Sequence, residues 1–201
     1  MKGKTEMCSW LRGLLPGVLT IPVCSVVFAA PDLEAVKRSF EQTDYATALK
    51  EVKPLAEQGN PAAQLFLAKM YLKGQGVPKD PEQANKWFRQ AAVQGNAESQ
   101  FFLGAWYLLP HRDIGEGLKW IRLSAQQGNQ DAQLLLGKAY LAGELAREPV
   151  QADMWLRLAA KGNLDFYQNE LRVAEAQMTA EQIAQGKALA ESWKPQPGVR
   201  P

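Results

Sequence analysis

Cysteine and histidine are almost missing from this sequence. Of its 201 residues only Cys8, Cys24 and His111 carry a thiol or an imidazole, and both cysteines stand ahead of Ala30. From Ala30 onward the chain can form no disulfide, no thiolate metal site and no cysteine nucleophile, and one imidazole cannot build a histidine-based metal centre. His111 stands beside Arg112 and Asp113, where it reads as a solvated loop residue next to a helix cap rather than as a ligand or base. No acidic pair sits in a setting that the sequence alone would raise in pKa. The residues therefore call for no metal and no cofactor, and the chain reads as a non-enzyme.

An excess of charge of one sign is missing too. The 23 basic and 21 acidic residues include Lys2, Lys4, Arg12 and Glu6, so from Ala30 onward 20 of each remain. Nucleic-acid binding needs a concentrated positive field, and no basic run interleaved with aromatics supplies one. Long apolar runs are scarce as well. The stretch from Leu14 to Val27 is broken by Pro16 and Pro22 and falls short of the roughly 20 residues that span a bilayer.

That stretch, with its basic start and the small-residue frame Val27-Phe28-Ala29, reads as a secretory leader of residues 1–29. Cleavage between Ala29 and Ala30 leaves a chain beginning Ala30-Pro31-Asp32, periplasmic or secreted in a Gram-negative envelope and not stably inserted in a membrane. The rival readings are an uncleaved anchor, and a lipoprotein acylated at Cys24, where Ile21-Pro22-Val23 lacks the small residue needed before the cysteine.

What the chain does have is a repeat. Gly-Asn occurs at 59–60, 95–96, 128–129 and 162–163, and a tyrosine follows each of the first three at the same distance, at 71, 107 and 140. A helical period of about 34 residues marks a solenoid whose units bury their apolar faces on one another. Each unit opens with an A helix: Ala63-Gln64, Ser99-Gln100 or Ala132-Gln133 leads to Ala68, Gly104 or Gly137, small residues that let helices approach closely. A B helix follows, carrying Trp87, Trp120 or Trp155 and, just beyond, Arg89, Arg122 or Arg157. Asp80 and Asp113 fit capping boxes with Gln83 and Glu116, and Pro149 suits a first turn. One tryptophan per unit at a fixed helix position reads as inter-repeat core rather than a sugar-binding strip. The arginines read as solvated stems laid over apolar surface.

The boundaries that follow are an N-terminal capping helix pair over 30–58, with Pro54 bending its second helix, repeats over 59–94, 95–127 and 128–161, and C-terminal capping helices over 162–193. At 166–167 Phe-Tyr displaces the small-residue-Gln pair, and Thr179 to Gln182 opens the last helix. Residues 194–201 are expected to be a disordered proline-rich tail.

These units resemble Sel-one-like (Sel1-like) repeats, relatives of the tetratricopeptide repeats. The first carries Gly59-Asn60, Ala63-Gln64, Leu67, Tyr71, Gly74-Gln75-Gly76-Val77-Pro78, Asp80, Ala84, Trp87-Phe88 and Ala91-Ala92. The second departs most, with Leu108-Leu109-Pro110-His111 in place of the glycine loop. The resemblance implies an all-α fold, an α/α right-handed superhelical solenoid, and a scaffold that holds a protein or peptide partner without catalysis. It also implies an alternative, a cell-wall-fragment binding protein or hydrolase, since some cysteine-rich relatives are linked to β-lactams; their cysteine pairs are absent here.

Where the family places a polar residue just before the A-helix leucine, this chain has Phe66, Phe102 and Leu135. With Lys69, Trp106 and Lys138 these could form a groove on the concave A-helix face, apolar in its floor and basic at its flanks, suited to a partner's helix or extended segment. The other reading of the Phe/Leu positions is that they fill the seams between units.

The leader makes a direct prediction. The protein recovered from the cell envelope begins at Ala30 by N-terminal sequencing; an intact Met1 there contradicts it.

Overall fold

The structure is a computed structural model that describes residues 32–109, 113–145, 147–162 and 164–201. The leader, its Ala29–Ala30 junction and His111 lie outside these residues. Among the described residues there are ten helices and no strand: α1 Leu33–Glu41, α2 Tyr45–Glu57, α3 Pro61–Lys73, α4 Pro81–Val93, α5 Ala97–Leu108, α6 Ile114–Gln126, α7 Gln130–Ala142, α8 Pro149–Ala160, α9 Asp165–Glu175 and α10 Ala180–Ser192. α3 to α8 are three A/B pairs, each helix packing on the one before and the one after it. The chain is thus a helical solenoid, capped at the N-terminal side by α1 and α2, which runs unbroken through Pro54.

One dipeptide ends each of α2, α4 and α6 and starts the A helix that follows. Gly59, Gly95 and Gly128 take φ of 91°, 91° and 95°, a left-handed turn that costs glycine little. There the backbone folds over the helix end: Gly95 N–H donates to Ala92 O and Asn96 N–H to Ala91 O, and the same pair of bonds recurs at 59–60 and 128–129. The asparagine side chain then turns forward, accepting from Ala62 and Ala63, from Ser99 and from Ala132. Asp80 and Asp113 cap α4 and α6 in the same way, accepting from Gln83 and Glu116. Glu148, ahead of Pro149, makes no such side-chain bond.

Within a unit, A and B meet across small residues. Ala68 and Ala84 share one buried cluster with Phe88. At Gly104 a Cβ would stand 2.8 Å from Ile121 and 2.9 Å from the Gly117 carbonyl, and at Gly137 it would stand 2.7 Å from Leu156. Trp120 and Trp155 are buried as expected, while Trp87 is half-buried.

The C-terminal helices depart from the simple array. α9 and α10 each pack on α8. α10 opens with a full capping box, Thr179 with Gln182. It lays Gly186 directly over the Asp153 carboxylate, leaving no room for a Cβ, and Trp193 meets Trp155 edge-on at 6.2 Å. The expected disorder of residues 194–201 is not what the structure shows. The segment lies along the B-to-A turns, with Gln196 N–H on Gln126 O at 2.9 Å, Gly198 N–H on Gln127 Oε1 at 2.7 Å, and Val199 O accepting from Gln100 Nε2 at 2.8 Å. Proline stops a helix without stopping main-chain hydrogen bonding by its neighbours, and the turn glycines leave a bare track for them.

Asp153 is fully buried, one oxygen held by Arg157 Nε at 2.6 Å and Oδ1 without a partner. Arg157 also pairs with Glu175. Burial pushes the Asp153 carboxyl above the ordinary carboxylate range, more than Arg157 pulls it down.

This packing makes two predictions. Gly104→Leu costs about 1–3 kcal/mol by overpacking and Trp120→Ala about 3–5 kcal/mol by lost aromatic packing, both read from urea unfolding midpoints; unchanged midpoints would remove these residues from the helix interfaces. Asp153 with a raised folded pKa favours the fold when protonated, and that contribution is lost as pH rises through the folded pKa. Asp153→Asn, which mimics the protonated acid, therefore gains on the wild type at pH 7. The gain disappears below the unfolded value of 3.8; a gain that grows on acidification contradicts the assignment.

Candidate functional site

The six residues expected to line an A-helix groove divide by role. Phe66 on α3 is half-buried and meets Phe40 of the capping pair edge-on at 5.5 Å. Phe102 on α5 stacks on Phe88 of the preceding B helix at 4.6 Å, and Leu135 on α7 packs against the cluster of Ile121, Leu136 and Trp155. These three fill seams between units. Lys69 and Lys138 do not form free basic flanks: Lys69 Nζ lies 2.7 Å from Glu98 at the start of α5, and Lys138 Nζ lies 2.8 Å from Glu170 of α9. Both lysines thus tie one A helix to the next, because each long ammonium stem reaches an acid one unit on and is neutralised there.

Trp106 does face an opening. With Leu72, Phe88, Phe102 and Leu109 it lines a cavity of about 290 Å³ between α3, α4 and α5. Across α5 lies a larger cavity of about 610 Å³, lined by Phe101, Leu108, Leu109, Leu118, Leu135 and Lys138 among others. Leu109 belongs to both and is 81% exposed, and Ile114 at the rim is 46% exposed. These two apolar side chains flank the shortened loop, where other units carry glycine. Their signal in the sequence is Leu108-Leu109 ahead of Pro110, a run too apolar for a solvated turn.

Other contacts were missed because each partner lies in another unit. Arg89 donates to the Tyr107 hydroxyl and its guanidinium lies 5.7 Å from that ring's centre; Arg122 donates to the Tyr140 hydroxyl at 3.1 Å. Arg157 makes the same reach along the chain, to Glu175. The arginines are therefore clasps between units rather than solvated stems. At the last A helix Gln168 takes the place of the displaced glutamine, one residue late, donating to Ala160 O at 2.7 Å. Beside it the Tyr167 hydroxyl donates to Asp131 at 2.6 Å, and that bond to an anionic acceptor pushes the phenol up to about 12.

Chemically this face offers apolar surface with paired charges. Among the described residues no group of three or more His, Cys, Asp or Glu side chains could hold a metal ion, and no helix is long and apolar enough to cross a membrane. The buried carboxylate Asp153 lies under α10, away from both cavities.

The Sel1 repeat family matches residues 61–96, 97–129 and 130–164. No curated protein sequence matches the chain. Among solved structures, a Sel1 repeat protein from Oxalobacter formigenes superposes with a TM-score of 0.67 at 29% identity, over 73% of this chain and 62% of that one. This chain thus spans less than two thirds of that relative. A protective antigen present in uropathogenic Escherichia coli strains, displaying an SLR fold, superposes with a TM-score of 0.48 at 25% identity, over 85% of this chain and 50% of that one. With three matched repeats, a Gly-Asn hinge at each junction and an all-helical solenoid, the chain belongs to the Sel1 repeat family.

Proposed function

We propose that this chain is a non-catalytic, exported scaffold that holds a protein or peptide partner on its A-helix face. Sel1 repeat proteins are generally protein-interaction scaffolds, and the finer reading rests on one observation. Leu109 stands exposed between two apolar cavities on either side of α5, with Ile114 beside it. Exposed apolar side chains rimming a groove are what a partner's own apolar side chains bury. Since Lys69 and Lys138 are already paired with acids, recognition here is by shape and apolar contact rather than by positive charge. The leader read at residues 1–29 supports a periplasmic or extracellular setting for this surface.

The test is photocrosslinking in intact cells from position 109, with exposed Lys86 on α4 as the control position. A discrete partner is expected from 109 and not from 86. Leu109→Glu abolishes its capture without shifting the melting temperature, because Leu109 is mostly solvated. Equal adducts from both positions, or capture that survives Leu109→Glu, sinks the A-helix reading.

A further inference from the structure

The segment at 194–201 lies against a surface that nothing in the A-helix groove requires. It runs antiparallel to the order of the units, Pro195 beside Gly128 and Gly198 beside Gly95, so three residues carry it from one B-to-A turn to the previous one. Three extended residues span roughly 10 Å, close to the roughly 8–10 Å between packed helices. The match lets one peptide register with successive turns. At Gly95 a Cβ would stand 2.9 Å from Gly198 O, so the approach depends on the bare glycine that the turn already demands.

The hydrogen bonds to the segment read main chain only. Gln100 Nε2 donates to Val199 O, Gln127 Oε1 accepts from Gly198 N–H, and Gln126 O accepts from Gln196 N–H. Gln127 Nε2 in turn donates to Gln100 Oε1 at 2.8 Å, so the two amides are pre-set, one presenting a donor and the other an acceptor. A related pair stands one unit earlier, where Gln94 Nε2 donates to Gln64 Oε1 at 2.8 Å; there the Gln90 side chain takes the Gln64 Nε2 donor at 3.3 Å in place of a peptide carbonyl, and a Cβ on Gly59 would meet nothing within 4 Å. The strip is thus one unit longer than the segment that lies on it.

We propose that these glutamine-glycine turns form a main-chain-reading docking strip for an extended, proline-glycine-containing segment of a partner protein, and that residues 195–199 are its competitor in cis. The chemistry selects that ligand. Proline on either side of Gln196 favours an extended backbone at low entropic cost. Gly198, with φ 75°, supplies a turn that other residues rarely adopt. The strip presents amides rather than charges, so an uncharged backbone suits it. A partner segment that also reaches Gly59 and takes the Gln64 amide from Gln90 gains a third register point and displaces the cis segment. This strip is separate from the A-helix groove and stands whether or not Leu109 docks a partner.

The experiment compares the full chain with its Gly198→Pro variant, which removes the N–H given to Gln127 and locks the backbone out of the left-handed turn. The probe is a fluorescent, amide-capped peptide with the sequence of Lys194–Pro201, read by anisotropy. An effective concentration on the order of mM for a short tether makes the wild type bind at least roughly ten-fold more weakly than Gly198→Pro. Adding Gln127→Ala to Gly198→Pro abolishes binding, with far-UV circular dichroism and melting unchanged. Equal binding by wild type and Gly198→Pro overturns the cis competition. No binding by Gly198→Pro overturns the strip as a site, as does undiminished binding after Gln127→Ala, which moves the peptide elsewhere. A wild type that dimerises and is dissociated by the peptide places the segment in trans and overturns the cis contact.

Discussion

Each unit of this protein is joined to the next by a glutamine amide, buried in the first three and half-buried in the last. Gln64, Gln100, Gln133 and Gln168 donate to the carbonyls of Ala56, Ala92, Ala125 and Ala160, always eight residues upstream, at the end of the preceding helix. The carbonyls of Ala56, Ala92 and Ala125 also accept from the turn glycine N–H, and the glutamine adds the second bond at each, one that reaches from the next helix. The amide therefore sets the register in which one unit stacks on another. It also explains why the glutamine in the last unit tolerates a shift of one residue relative to Gly162: the invariant is its distance from the carbonyl it serves.

Around that bond the seam is closed twice more. On one side the B-helix arginines reach the phenols of Tyr107 and Tyr140 in the next A helix, and on another Lys69 and Lys138 reach acids one A helix on. Exposed pairs of this kind each contribute little, typically below about 1 kcal/mol. Their effect here is directional: the acids neutralise Lys69 and Lys138 on the A helices, while Leu109 and Ile114 remain as exposed apolar surface. At one turn the pair Gln100 and Gln127 also meets a peptide main chain, that of Gly198 and Val199.

The solenoid is legible in the sequence because its determinants are local. Gly-Asn hinges, Asp caps and small-residue A/B contacts are each local in sequence, so periodicity exposes them, and α3 to α7 begin at the Asn and Asp caps those signals mark, whereas α9 begins after Leu164 rather than at the fourth Gly-Asn. The site is legible only in part. A stripe such as Phe66, Phe102 and Leu135 has the same spacing whether it faces solvent or the next unit, and only tertiary packing decides; Phe40 and Phe88 cover two of them. The lysine and arginine partners stand on a neighbouring unit, beyond the reach of any helical period. The proline content of residues 194–201 points to disorder, whereas their order comes from turn glycines and glutamines elsewhere in the chain.

The central claim is that the glutamine amide holds one unit in register on the next, and Gln133 tests it most directly because it does not touch residues 194–201. Replacing it with methionine keeps length and bulk but removes the 3.2 Å donor from the Ala125 carbonyl, which is left with the Gly128 N–H alone. Equilibrium urea unfolding of Gln133→Met should show a loss of about 0.5–1.5 kcal/mol, the net contribution of one buried hydrogen bond. Wild-type stability in that variant would mean that apolar packing alone sets the register, and would contradict the account.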